Sequence, residues 1–186
     1  VDGTGRDRFD AEVWIENGRI KQLIPRGKKC EGVQELDVSG LVVSPGFIDM
    51  HTHSDLAVLA DPVHLAKVAQ GVTLEVVGQD GLGYAPTTDI TMEVIRDQIS
   101  GWNGVPDLDY SWRTIGEYLD RIDRGAAVNV ATLVPHGAVR MAVMGTQSRA
   151  ATDAELAEIR EIVADGLAQG ALGMSTGLTY TPGMYA

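Results

Sequence analysis

His51-Thr52-His53 closes a strongly apolar run, residues 41–50, and is the segment of this chain richest in chemical content. Side chains on an extended strand alternate between faces, so histidines at i and i+2 project from one side and can hold a cation between them. Neutral imidazole is the commonest protein ligand for zinc-like ions, and Ser54 and Asp55 continue the polar character beyond the pair. A carboxylate follows the next apolar run, residues 72–77, in Gly78-Gln79-Asp80-Gly81-Leu82-Gly83. Two readings of Asp80 are open: a ligand that its glycine neighbours allow close to an ion, or an ordinary acid in a glycine-rich turn. His136, in Pro135-His136-Gly137, follows a third apolar run and either touches substrate or makes a plain loop hydrogen bond. Ser175, Thr176 and Tyr180 cluster after a fourth run. Tyr180 either donates a hydrogen bond to a substrate carbonyl or packs a pocket wall. His64 reads as a surface or packing residue, and Glu75, inside the second apolar run, receives no role from sequence.

These residues need a frame, and the hydrophobic rhythm supplies one. Residues 11–15 alternate in period two, Asn17-Gly18 favours a two-residue hairpin turn, and residues 19–24 supply the returning strand. From residue 41 the pattern becomes apolar strand, loop, helix. Asp61-Pro62 reads as a helix start, Leu65, Val68 and Ala69 as sharing one face, and Gly71 as the stop. Residues 114–124 predict a helix closed by Gly125, and residues 128–134 a third strand. Thr152-Asp153-Ala154-Glu155 is a capping box, with Leu156, Ile159, Val163 and Leu167 spaced for burial and residues 171–175 forming a fourth strand. Strands alternating with helices predict an α/β fold with a parallel sheet. Residues 88–112, rich in Asp, Trp and Pro, form a long insertion that serves either as a pocket rim or as an ordinary packed connection.

Val43-Ser44-Pro45-Gly46-Phe47-Ile48-Asp49-Met50-His51-Thr52-His53, preceded by Leu36-Asp37-Val38-Ser39-Gly40, resembles the start of the barrel in the amidohydrolase superfamily of metal-dependent hydrolases. Gly71-Val72-Thr73-Leu74-Glu75-Val76-Val77-Gly78-Gln79-Asp80-Gly81 and Gly170-Ala171-Leu172-Gly173-Met174-Ser175-Thr176-Gly177-Leu178-Thr179-Tyr180 resemble its N-acyl-D-amino-acid deacylase (D-aminoacylase) branch. The resemblance implies the N-terminal half of a metal-dependent (β/α)8 TIM-like barrel, residues 41–186, preceded by part of a small β-sandwich, residues 1–40. It implies one or two divalent metals, Zn2+ first, held by His51, His53 and Asp80, with Tyr180, His136 and Ser175 toward substrate. The activity implied is cleavage of the amide bond of N-acyl-D-amino acids, or of related N-acyl or cyclic amides, by a metal-activated water. D-aminoacylases carry a metal-binding Cys where this sequence has Asp80, and an oxygen ligand is harder than a thiolate. No lysine follows Lys67, which removes the carboxylated-lysine bridge of the hydantoinases and dihydroorotases from this part of the chain.

Barrels of this kind need about 250 residues, and the chain has 186. A missing C-terminal half, in cis or as a second chain, is therefore expected to carry the general base and the remaining ligands, leaving residues 1–186 inactive alone. The alternative of a different class is a non-catalytic amidohydrolase-like fragment or scaffold. A formal net charge of -11 argues against nucleic-acid or anionic-membrane partners, and no apolar run approaches the length of a membrane span. The single cysteine, Cys30, excludes an intrachain disulfide and reads as an incidental surface thiol. The chain opens on Val1 without a signal-peptide pattern, which makes a cytoplasmic location the expectation and leaves room for residues upstream.

Overall fold

The structure is a computed structural model and describes residues 1–27 and 32–180, so Cys30 and residues 181–186 lie outside the described residues. The chain divides into two units, Val1–Pro45 and Gly46–Ala186.

In the first unit β1 (Glu12–Glu16) and β2 (Arg19–Ile24) pair antiparallel, with a register shift between Trp14 and Ile15. Asn17 (φ 52) and Gly18 (φ 73) both adopt the left-handed region that a two-residue hairpin turn requires. Lys21 pairs with Glu16 at 2.8 Å and lies over the Trp14 ring.

The second unit is built on a parallel sheet with strand order β3-β4-β5-β6: Phe47–Asp49, Val72–Val77, Asn129–Pro135 and Gly173–Ser175. Between β3 and β4 lie α1 (Ala57–Ala60) and α2 (Leu65–Val68). Between β4 and β5 run α3 (Asp89–Gln98), α4 (Ser100–Asn103) and α5 (Ile115–Ile122). Between β5 and β6 stand α6 (His136–Met144) and α7 (Asp153–Ala168). Thr88, Thr114 and Thr152 each close a capping box at the start of α3, α5 and α7. Among the described residues no helix is long and apolar enough to cross a membrane.

Several local expectations shift. The first strand of the parallel sheet starts after Pro45-Gly46 and not at residue 41: proline has no N–H to donate, and the Phe47 N–H is the one that reaches the Gly71 carbonyl at 2.8 Å. Asp61-Pro62 does not open a helix; Asp61 terminates α1, and α2 begins only after His64, whose φ of 46 is left-handed. The face that Leu65 and Val68 share is exposed, while Lys67 of α2 reaches Asp49 of β3 and Glu75 of β4. The insertion is largely structured. Met92 and Ile95 of α3, Tyr110 and Trp112 pack into the core, and the Trp112 indole donates to the Tyr84 carbonyl at 3.0 Å. The helix α6 lay in what the sequence showed only as a loop, because His-Gly at its start masks a run of good helix formers. On α7 the packed face is Ile159, Ile162, Val163 and Gly166, while Leu156 and Leu167 remain exposed. At Gly166 a Cβ would meet Val134 Cγ2 at 2.8 Å, which fixes how closely α7 can lie on β5.

The core of this unit gathers Leu56, Val77, Tyr84, Ile115, Tyr118, Val134 and Val139, each contributing roughly 1.5–3 kcal/mol by the area it removes from water. Tyr118 ties this core to the site segment, its hydroxyl donating to the Asp55 carbonyl at 2.8 Å.

Candidate metal centre

The chain leaves the ladder at the C-terminal end of β3 and bends at His51, so His51 and His53 lie just past the strand rather than on it. Their rings stand 5.7 Å apart, near perpendicular. Both Nε2 atoms converge on one carboxylate oxygen: His51 at 3.2 Å and His53 at 3.3 Å from Asp80 Oδ2. One ligand atom from each of the three residues falls within 4.8 Å of the others. Two imidazole nitrogens and a carboxylate oxygen aimed at a common point form a donor set that fits a zinc-like ion.

Asp80 reaches that point because the loop after β4 is held from every side. Asp80 itself is left-handed (φ 57), as is Gly78 (φ 74), where a Cβ would lie 2.6 Å from the Leu133 carbonyl oxygen. The Gly78 N–H donates to Asp55 Oδ1 at 3.0 Å. Ser175, on β6, donates to the Gly78 carbonyl and accepts from the Gly81 N–H at 3.0 Å. Gln79 sends its amide to the Met50 carbonyl at 2.7 Å, linking this loop directly to the residue before His51. Asp55 is buried, and desolvation pushes its carboxyl up to about 7 in spite of the Gly78 bond.

The histidine segment is held by charge. Lys67, on α2, donates to Asp49 Oδ2 and to Thr52 Oγ1, and pairs with Glu75 Oε1 at 2.9 Å. The Lys67 bond holds the Asp49 carboxyl below its ordinary range. Burial works against the Lys67 charge, but the Asp49 and Glu75 bonds outweigh it and raise its pKa. His64, read as a surface or packing residue, is buried, with Nε2 2.9 Å from Glu75 Oε2. An ionised carboxylate only accepts, so that nitrogen carries the proton.

The residues expected on the substrate side divide. His136 opens α6, with Nδ1 3.3 Å from the Thr176 hydroxyl, and burial followed by the Arg140 guanidinium lowers its pKa. Ser175 is buried, and its hydroxyl is committed to the Asp80 loop. Tyr180 meets Trp102 edge to face at 5.7 Å, and Trp102 in turn packs against the His53 ring at 4.9 Å. Trp102 is half exposed and was missed by sequence reasoning, its signal being a tryptophan in Gly101-Trp102-Asn103-Gly104 within the insertion. Lys67, Gln79 and Glu75 were missed as well. The Glu in an otherwise apolar strand was the visible signal.

Residues 34–186 match the family model described as the amidohydrolase family. The chain belongs to that family. It is 39% identical to an N-acyl-D-aspartate deacylase of Alcaligenes xylosoxydans xylosoxydans over 98% of its own length and 36% of the relative's. A D-aminoacylase of the same organism is 37% identical over 98% of this chain and 37% of that protein. A crystal structure of N-acyl-D-glutamate deacylase from Bordetella bronchiseptica, complexed with zinc and a phosphonate mimic of the tetrahedral intermediate, superposes with a TM-score of 0.82. That protein is 33% identical, over 100% of this chain and 38% of its own. The chain thus spans somewhat over a third of the length of these amidohydrolases.

Proposed function

We propose that the protein carrying these residues is a zinc-dependent hydrolase of N-acyl-D-amino acids, with His51, His53 and Asp80 as metal ligands. The convergence of both histidines on Asp80 Oδ2, in an amidohydrolase with deacylase relatives, carries the proposal. A divalent cation bound there would supply Lewis acidity toward the acyl carbonyl and toward water. The chain's own groups orient and shield. Trp102 covers one face of His53 and keeps bulk water from it. Tyr180, positioned by Trp102, donates a hydrogen bond to the scissile carbonyl. His136, whose lowered pKa keeps it neutral at pH 7, offers a hydrogen bond to substrate together with Thr176. Ser175 acts on substrate only indirectly, through the Asp80 loop.

In this proposal residues 41–186 are the first four strand-helix units of an eight-stranded barrel and residues 1–40 part of a small β-sandwich. The general base and further ligands come from polypeptide beyond these residues, in cis or as a second chain, so residues 1–186 alone do not turn over substrate. The location is cytoplasmic. The test is zinc analysis of the full-length protein with an assay on N-acetyl-D-amino acids. Stoichiometric zinc and chelator-sensitive hydrolysis are expected. A folded protein without zinc after metal-supplemented expression favours a scaffold instead.

A further inference from the structure

The sheet register sets Asp49 of β3 opposite Glu75 of β4, two acids side by side in neighbouring strands. Like charges so placed repel, and Glu75 has no exposed surface at all. Such a carboxylate is tolerable only with a cation and hydrogen-bond donors on both oxygens. Both are present. Lys67 reaches Glu75 Oε1 and Asp49 Oδ2 together, and His64 donates to Glu75 Oε2. The hydroxyls complete the circuit in one consistent direction. Lys67 donates to Thr52 at 3.2 Å, Thr52 and Ser54 lie 2.7 Å apart, and Ser54 donates to Glu75 Oε1 at 3.3 Å. Because each hydroxyl has one proton, Thr52 donates to Ser54. Thr52 lies between the two histidines, Ser54 follows His53, and Asp49 stands two residues before His51.

We propose that Glu75, neutralised by Lys67 and clasped by His64 and Ser54, is a positioning residue that sets the geometry of the His51–His53 pair. It does so through Thr52 and Ser54, which alternate with the two histidines, and through Lys67, which also holds Asp49 two residues before His51. The inference rests on the metal-site assignment, but its test reads metal binding and not turnover, so the substrate assignment can fail without touching it. Partners behind metal ligands typically change metal affinity by about 10–100-fold when removed.

In the full-length protein, Glu75→Gln should weaken Zn2+ binding by about 10–100-fold in competition with a chromophoric chelator, and should shift the visible spectrum of the Co2+ form. Ser54→Ala, which deletes one hydroxyl, should weaken Zn2+ in the same direction by less, and it decides the matter if Glu75→Gln does not fold. Ile122→Ala, in the core away from this network, should lower the melting temperature while leaving Zn2+ affinity and the Co2+ spectrum unchanged. Wild-type affinity and spectrum in both Glu75→Gln and Ser54→Ala overturn the proposal. So does a loss in Ile122→Ala as large as that in Glu75→Gln, since the effect would then be general destabilisation. A wild-type protein that retains no zinc removes the metal site itself, and the proposal with it.

Discussion

The two segments that deliver the proposed metal ligands are held in opposite ways. The Asp80 loop depends on backbone shape: left-handed residues, a glycine pressed against the Leu133 carbonyl, and side chains that bond its peptide groups. The His51–His53 segment depends on side-chain charge, with Lys67 between two carboxylates and hydroxyls leading to Glu75. A loop fixed by its backbone tolerates little change of residue type but responds weakly to charge. A segment fixed by ions should behave the other way round, because a buried charge stripped of its partner is costly whatever the local backbone does.

The largest effect should come from the proposed ligands themselves. His51→Ala with His53→Ala in the full-length protein should abolish zinc retention and cut hydrolysis by orders of magnitude while thermal unfolding changes little, because both side chains lie beyond β3 and outside the apolar core. Unchanged zinc content in the double variant would sink the ligand assignment. Asp80→Ala should likewise cost orders of magnitude in rate, whereas Asp80→Cys should still bind zinc, since a thiolate suits the ion too. A wild-type rate for Asp80→Ala would return this residue to the role of a turn former.

The comparison itself is sharpened by a pair of milder variants. Lys67→Met leaves Glu75 buried without its cation and should destabilise the fold by about 3–5 kcal/mol, an effect Glu75→Gln in the same chain should partly relieve. Gly78→Ala should lower stability by about 1–3 kcal/mol through strain at a positive φ, with no such rescue by any charge change. Denaturant melts of the single and double variants separate the two mechanisms. Additive behaviour of Lys67→Met and Glu75→Gln would show that the histidine segment is not held by charge.

The smallest effect concerns a surface network. Arg149, then the Thr152 N–H, hold the Glu155 carboxyl down at about 2. A depressed carboxyl stabilises the fold above the ordinary glutamate range, and that contribution disappears as pH falls toward about 2. Melting temperature followed from pH 5 downward should therefore drop less steeply in Glu155→Gln than in wild type. Parallel curves would remove Glu155 from the acid response.

Much of this was legible in one dimension. Hairpin, the Thr152 capping box, the β4 run and the alternation of strand and helix are written in local periodicity and cap chemistry, which act over a few residues and need no distant partner. The His-x-His pair and the glycine-flanked Asp80 were visible for the same reason, since ligand type and backbone freedom are properties of neighbouring residues. What only the tertiary structure decided is which groups meet. Glu75 gains meaning from the register that sets it opposite Asp49 and from α2, which with its N-cap brings Lys67 and His64 to it. Ser175 lies far along the chain from Gly78, yet parallel pairing puts its hydroxyl on the Asp80 loop. Trp102 reaches His53 only because α3 and α4 fold the insertion back over the strand ends. Electrostatic and packing partners of this kind are fixed by sheet register and crossover geometry, and neither is encoded in a window of sequence short enough to read.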